Sequence, residues 1–215
     1  MNINQNKEYW EDRFLKEGKI WGELPSRSAL YCLKLFKKYN IKNILIPGSG
    51  YGRHTKLFSD NGYNVVGIEI SETAIELSKK FDLLTNFLNS SVLEMDSFNE
   101  KFDAIFCFNT LHLFLKEERT KFLNNCYNIL NHRGIVFFTV FSENEPSFGK
   151  GKEIERYTYE SKPGRPTHYF TETDLAKDFK EFNLLEQGII EEQENHGTQG
   201  SHTHFLRYIF AQKDQ

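Results

Sequence analysis

Three glycines spaced G-x-G-x-G (Gly48, Gly50, Gly52) and a downstream acid, Glu69, are the residues whose types and spacing point most directly to chemistry. Glycine adopts positive φ and lets a ligand approach the backbone with no Cβ in the way. The triplet follows an apolar run, residues 44–46, and precedes a helix-like segment, residues 53–61. The first N–H groups of such a helix face the anionic part of a ligand. A second apolar run, residues 63–70, carries Glu69 near its end, where a carboxylate can accept both hydroxyls of a ribose. The spacing excludes two other nucleotide sites. A dinucleotide fingerprint needs its third glycine where Arg53 stands, and a P-loop needs a Gly-Lys-Ser/Thr that does not follow here.

The histidines are the second group. His112, in Asn-Thr-Leu-His-Leu-Phe, follows an apolar strand at the carboxyl end of the sheet, where open α/β folds bind ligands. An imidazole there can take a proton near neutral pH or position a substrate. His196, His202 and His204 fall between the last two strand-like runs. His202 and His204, two apart on an extended strand, share a face. With His168 and Glu194 they are candidates to bind a substrate or a metal, against the reading of a solvated loop. No metal site is assigned.

These residues need a scaffold, and the chain supplies one. Its 215 residues make one domain with a substantial core. A net charge of −3 without a long basic run disfavours nucleic acid as the main partner. The polar start and the lack of a membrane-length apolar run predict neither a signal segment nor a span. Three scattered cysteines (Cys32, Cys107, Cys126) fit a reducing, cytoplasmic setting, with Cys107 and Cys126 as small core residues. Strand-like and helix-like segments alternate after residue 40, the pattern of a doubly wound, mostly parallel α/β sheet. Strands are expected at 43–47, 64–69, 86–89, 101–109 and 135–141, with helices from 52, to 80 behind Ser71, and over 117–130. Residues 142–170, rich in Gly and Pro, read as a lid or insertion. A short helix behind Thr171 leads to two final runs, 184–192 and 204–212, expected to pair antiparallel.

Over roughly residues 40–212 the glycine loop, the strand-ending acid and the antiparallel ending resemble the class I S-adenosylmethionine (SAM)-dependent methyltransferases. The resemblance implies a seven-stranded sheet with helices on both faces and SAM as cofactor. It places Gly48, Ser49, Gly50 and Gly52 in the cofactor loop, Glu69 on the ribose, Ile70 as an adenine wall, and Ser91 and Val92 at the adenine edge. Arg53 becomes a candidate for the methionine carboxylate, and carbonyls near Phe108 and Asn109 for the sulfonium. Residues 1–40, with Trp10, Trp21 and the run Trp-Gly-Glu-Leu-Pro-Ser, resemble the helical cover of small-molecule methyltransferases of the tellurite-resistance and thiopurine type, which puts Trp21 over the cofactor. Two positions depart from the family pattern: Pro47 replaces the usual acid before the first glycine, and Ser91 the acid after the third strand. The resemblance implies methyl transfer to a small molecule, with His112 as candidate catalytic residue and His168, His202 and His204 as candidate substrate contacts. The alternatives are a SAM-binding module without transfer activity and a methyltransferase acting on a macromolecule.

Overall fold

The computed structural model describes residues 3–162, 164–195 and 200–214. Its centre is a seven-stranded sheet. In spatial order the strands are β3 (Asn86–Asn89), β2 (Asn64–Glu69), β1 (Asn43–Pro47), β4 (Phe102–Phe108), β5 (Leu130–Phe141), β10 (Ser201–Lys213) and β9 (Phe182–Asn195). The first five run parallel, and β10 is antiparallel to both neighbours. The alternation of strand and helix patterns thus gives the expected architecture.

Apolar runs without alternation mean strands buried on both faces, and β4 shows the consequence. Ile105 and Cys107 join the core on one face, with Phe122, Cys126 and Leu175. Ala104 and Phe106 join the core on the other, with Ala29, Leu33 and Phe58. The helices α5 (Lys116–Ile129) and α6 (Glu172–Asp178) cover the first face, and α2 (Arg27–Phe36) and α3 (Arg53–Asp60) the second. All three cysteines are buried and free. Ser71 and Thr171 cap α4 (Glu72–Phe81) and α6, accepting from the N–H of Ala74 and Asp174. The proline at position 47 ends β1, where a missing N–H leaves no gap inside the ladder.

Three expectations shift. β5 begins at Leu130 rather than 135, because Leu130 already pairs with Phe102; Arg133, at φ 59°, takes up the surplus residues. β9 and β10 extend well beyond the apolar runs 184–192 and 204–212 and form a long hairpin. The 142–170 segment holds a three-stranded antiparallel sheet, β6 (Lys152–Glu155), β7 (Thr158–Lys162) and β8 (Arg165–His168). Its strands are short and polar, so they carry no alternating apolar signal. Ahead of the main sheet lie α1 (Ile3–Glu17) and α2. α1 is tied to the start of α4 by Glu11, which accepts from Ser71 Oγ at 2.7 Å and from the Thr73 N–H at 3.2 Å.

Candidate active site

The strand order reverses between β1 and β4, and at the carboxyl ends of these strands lies a cavity of about 250 Å³, the position at which open α/β sheets bind ligands. Gly48 and Gly50 line it at φ 68° and 55°. A Cβ at Gly48 would stand 2.4 Å from Thr110 Oγ1, so the loop after β4 occupies the room a side chain would need. Ser49 also lines the cavity; its Oγ is buried without a hydrogen-bond partner among the described residues. Gly52, at φ 90°, is not part of the wall. It starts α3 from behind, where a Cβ would come within 3.2 Å of Ser78 and Thr55.

Glu69 sits at the tip of β2 with its carboxylate buried in the cavity wall. Oε2 accepts from the Gly50 N–H at 2.9 Å, and Oε1 from Ile70 and Ser71 at 2.8 and 2.9 Å. Burial raises its pKa, and the three N–H donors work against that rise. A carboxylate offers about four acceptor positions, so Glu69 both ties the glycine loop to β2 and keeps acceptor capacity for a ligand. Ile70, Ser91 and Val92 continue the wall from the ends of β2 and β3. Ser91 Oγ accepts from the Leu93 N–H at 3.2 Å, capping the 3-10 turn Val92–Ser97. Asn109, after β4, lines the opposite side at φ 53°, a conformation asparagine tolerates better than most residues. Its backbone N–H and its Oδ1 are both held by Thr139, at 3.1 and 3.0 Å.

Arg53 opens α3 and reaches the cavity, with its fork already engaged. Nη2 meets Glu194 Oε1 at 2.8 Å, Nη1 donates to the Trp21 carbonyl at 3.2 Å, and the guanidinium lies over the Phe108 ring. Both members of the ion pair are buried. Trp21 stacks on Tyr51 with ring centres 6.1 Å apart. The Tyr51 hydroxyl accepts from the Trp21 N–H and donates to the Gly22 carbonyl, so the segment after α1 is hydrogen-bonded to the glycine loop. Burial pushes the Tyr51 phenol up to about 12.

At the other end of the cavity, Phe141 from the tip of β5 stacks between two imidazoles. His112 lies 4.1 Å from its ring centre on one side and His204 4.9 Å away on the other. Burial brings His112 down to about 3, with the nearby His204, His168 and Arg165 adding to the effect. It is therefore neutral at physiological pH, with Nδ1 buried and unpartnered among the described residues. His204 Nδ1 meets Glu145 Oε2 at 3.0 Å and its Nε2 meets His202 Nε2 at 2.8 Å.

The histidines considered together with Glu194 are not all in one place. On β8, alternation turns Arg165 and Thr167 into the cavity and His168 away from it, into buried bonds with Thr158 Oγ1 at 2.8 Å and Asp174 Oδ2 at 2.6 Å. His202 bonds to His204 and is not part of the cavity wall, and Glu194 pairs with Arg53. His196 lies outside the described residues. No group of three or more His, Cys, Asp and Glu side chains is arranged to hold a metal ion among the described residues.

Several cavity residues escaped the sequence reading. His54, buried beside Phe106 and Phe108, accepts from the Ser26 N–H and is held well below its ordinary pKa by burial and by Arg53. Arg165 and Thr167 come from β8, a strand with no apolar signature, and Glu145, which holds His204 without lining the cavity, from the turn after β5. The even spacing of Arg165, Thr167 and of His202, His204 was the one available sign.

Residues 45–138 match the family described as "Methyltransferase domain". Among curated relatives, a glycine/sarcosine N-methyltransferase of Aphanothece halophytica is 27% identical over 54% of this chain and 46% of its own length. A probable thiol methyltransferase of Arabidopsis thaliana is 33% identical over 54% of each chain. The chain thus spans about half the length of the curated relatives it matches. Among solved structures, a SAM-dependent methyltransferase from Anabaena variabilis superposes with a TM-score of 0.77 at 18% identity, covering 98% of this chain and 94% of that one. The family match falls on the strands that carry the glycine loop and Glu69, so this part of the chain is similar to methyltransferase domains, and the strand order around it is the fold of the SAM-dependent methyltransferase structure it superposes on.

Proposed function

We propose that this protein transfers the methyl group of SAM to a small-molecule acceptor. One observation carries the reading: a single cavity has the glycine loop and Glu69 at one end and the His112, Phe141, His204 stack at the other. The residues present fit SAM. Glu69 retains an acceptor position for the ribose diol, and Ile70 and Val92 supply apolar adenine walls beside Ser91. Gly48, Ser49, Gly50 and Asn109 bring the backbone close, and Gly52 sets the entry to α3. Ser49 Oγ is a buried polar atom still lacking a partner. Arg53 serves the methionine end mainly by position, since Glu194 already neutralises it. Trp21, with Trp10 and Phe14, covers this end.

Bound SAM supplies an electrophilic methyl group on a sulfonium. The chain's part is to align a nucleophile and, where needed, to remove its proton. We assign the proton to His204 Nε2, which would take it in exchange for its bond to His202 Nε2 while Glu145 holds Nδ1. His112, neutral across the working range, offers a hydrogen bond to the acceptor rather than a proton sink. His202 supports His204 from outside, and His168 stiffens β8. Residues 1–40 and 142–170 act as covers of one methyltransferase domain. They meet where Arg165 lies 3.8 Å from the Tyr9 ring centre. That closure, together with curated relatives named for small acceptors, supports a metabolite rather than a macromolecule. The three buried thiols support a cytoplasmic setting, and no helix among the described residues is long and apolar enough to cross a membrane.

The test is transfer of labelled methyl from SAM, scored separately for pools of small thiols, amines and hydroxyl compounds and for protein and RNA fractions. Label in at least one small-molecule pool, lost in His204→Ala, supports the proposal. Label confined to protein or RNA contradicts it.

A further inference from the structure

The cavity takes in three guanidinium groups, and they differ in one respect. Arg13 is paired with Glu17 at 3.3 Å, and Arg53 with Glu194 at 2.8 Å. Arg165 has no carboxylate within ion-pair distance among the described residues. Its neighbour is Tyr9, over whose ring it lies at 3.8 Å. Arg165 is half buried, and its two strongest influences are burial and then Tyr9; the nearby Arg13 adds repulsion. A cation removed from water without a counter-charge is unfavourable, and the fold offers acids to the other two arginines but not to this one. The remaining cavity acids are spoken for: Glu69 holds three N–H groups, Glu118 caps the Leu115 N–H, and Glu194 holds Arg53.

Arg165 lies where β8 meets α1. It stands on β8 with Thr167 on the same face, and β8 packs against the turn Leu111–Leu113 that carries His112. That turn leads to the end of the cavity with Phe141 and His204, while through Tyr9 the same guanidinium also borders α1. A planar guanidinium with five donors matches a carboxylate through two parallel hydrogen bonds. Thr167 adds a hydroxyl that can donate to the same group.

We propose that Arg165, assisted by Thr167, is the counter-ion for a carboxylate on the methyl acceptor, so that the substrate is a small carboxylic acid bearing a thiol, amine or hydroxyl nucleophile. This rests on the methyltransferase reading above and narrows it to one acceptor class. Because Arg165 also contacts Tyr9 of α1, the bound carboxylate would lock the two covers together.

The experiment compares matched acceptors that differ only in charge: mercaptoacetate against mercaptoacetamide, glycine against glycinamide, and 4-hydroxybenzoate against 4-hydroxybenzamide. Each is assayed with the wild type, Arg165→Gln and Arg165→Lys, alongside calorimetric affinity for S-adenosylhomocysteine. The wild type should favour the acid of at least one pair by about tenfold or more in kcat/KM, since a site built around a charged group rejects the analogue lacking it. Arg165→Gln should erase that preference through KM while S-adenosylhomocysteine affinity stays within about twofold, and Arg165→Lys should restore part of it. If no member of the panel is methylated, the same acids and amides are titrated into the S-adenosylhomocysteine complex, and binding of an acid but not of its amide, lost in Arg165→Gln, supports the proposal. Equal or better use of the amides, a preference unchanged in Arg165→Gln, or no binding of any acid overturns it. So does a variant that loses S-adenosylhomocysteine affinity, which would reassign Arg165 to the cofactor. In all these cases retained cofactor binding by the wild type leaves the methyltransferase reading standing, whereas its absence would remove that reading instead.

Discussion

The two ends of the cavity are built differently. The end with Gly48, Gly50 and Glu69 is a backbone structure: positive-φ glycines, a helix start, and one carboxylate gathering three N–H groups. The end with His112, Phe141, His204 and Arg165 is a side-chain structure, assembled from the loop after β4, the tip of β5, β10 and β8. A backbone site tolerates few changes and takes one ligand. A side-chain site on covering elements is where acceptor choice is made. Substitutions at the two ends should therefore separate into cofactor affinity and fold at the first, and turnover and acceptor choice at the second.

The largest effect belongs to the side-chain end. His204→Ala should lower kcat by about 10²–10⁴ for an acceptor that must lose a proton, with S-adenosylhomocysteine affinity retained. Glu145→Gln should follow it less severely. Loss of cofactor affinity in either variant would blur the division between the ends.

Next comes the Arg53–Glu194 pair, which anchors the backbone end to β9. Arg53→Met should destabilise the protein by about 3–5 kcal/mol in urea unfolding, since the buried Glu194 carboxylate loses the guanidinium that faces it at 2.8 Å. The double variant Arg53→Met/Glu194→Leu should recover much of that. If the single variant unfolds like the wild type and only SAM binding suffers, Arg53 belongs to the ligand and not to the scaffold.

Gly48→Ala should cost about 2–4 kcal/mol, combining a positive φ with a clash against Thr110. Adding Thr110→Ala should relieve the clash and leave only the conformational strain. A wild-type melting profile for Gly48→Ala would remove the account of the tight loop.

The smallest effect is a pH dependence. Burial lowers the pKa of both His54 and His112, so below about pH 6.5 the unfolded chain binds protons that the folded one refuses, and stability falls as pH drops. His112, held at about 3, contributes up to about 1.4 kcal/mol per pH unit in that range, and His54 acts in the same direction. Glu69, raised by burial, acts in the opposite direction, one group against two. His112→Phe, which keeps the stack on Phe141, should flatten the fall in melting temperature between pH 6.5 and 5.5, by about half if the two imidazoles dominate. An unchanged slope would mean that His112 is solvated.

The same contrast explains what the sequence made legible. The glycine loop, Glu69, Ile70 and the positions of the first five strands along the chain follow from local signals: apolar runs, turn residues, and an acid at a strand tip. His112 and Asn109 follow because they sit directly after a recognisable strand. Arg165 and Thr167 do not, since β8 is short and polar and its facing is set by pairing with β7. The alternation that aims them inward is also what turns His168 out to Asp174. Glu192 was hidden for a related reason: on an edge strand it reads as a solvated charge, yet it is buried on the start of α2. Glu194 was singled out beside the histidines, but its bond to Arg53 was not foreseen. Partners distant in sequence decide such cases, and a residue's type does not reveal them. Pro47 and Ser91, the departures from the family pattern, proved compatible with the fold, ending β1 and capping a 3-10 turn.

The central claim is that the glycine loop and Glu69 hold the adenosyl cofactor at the carboxyl rim of the sheet. Calorimetric titration of S-adenosylhomocysteine into the wild type and Glu69→Ala tests it most directly, with circular dichroism confirming that the variant is folded. The account predicts saturable one-to-one binding by the wild type and a loss of about a hundredfold or more in a folded Glu69→Ala, because both a ligand contact and the clamp on Gly50 disappear. Equal affinity in the two proteins, or no binding by the wild type, would contradict it.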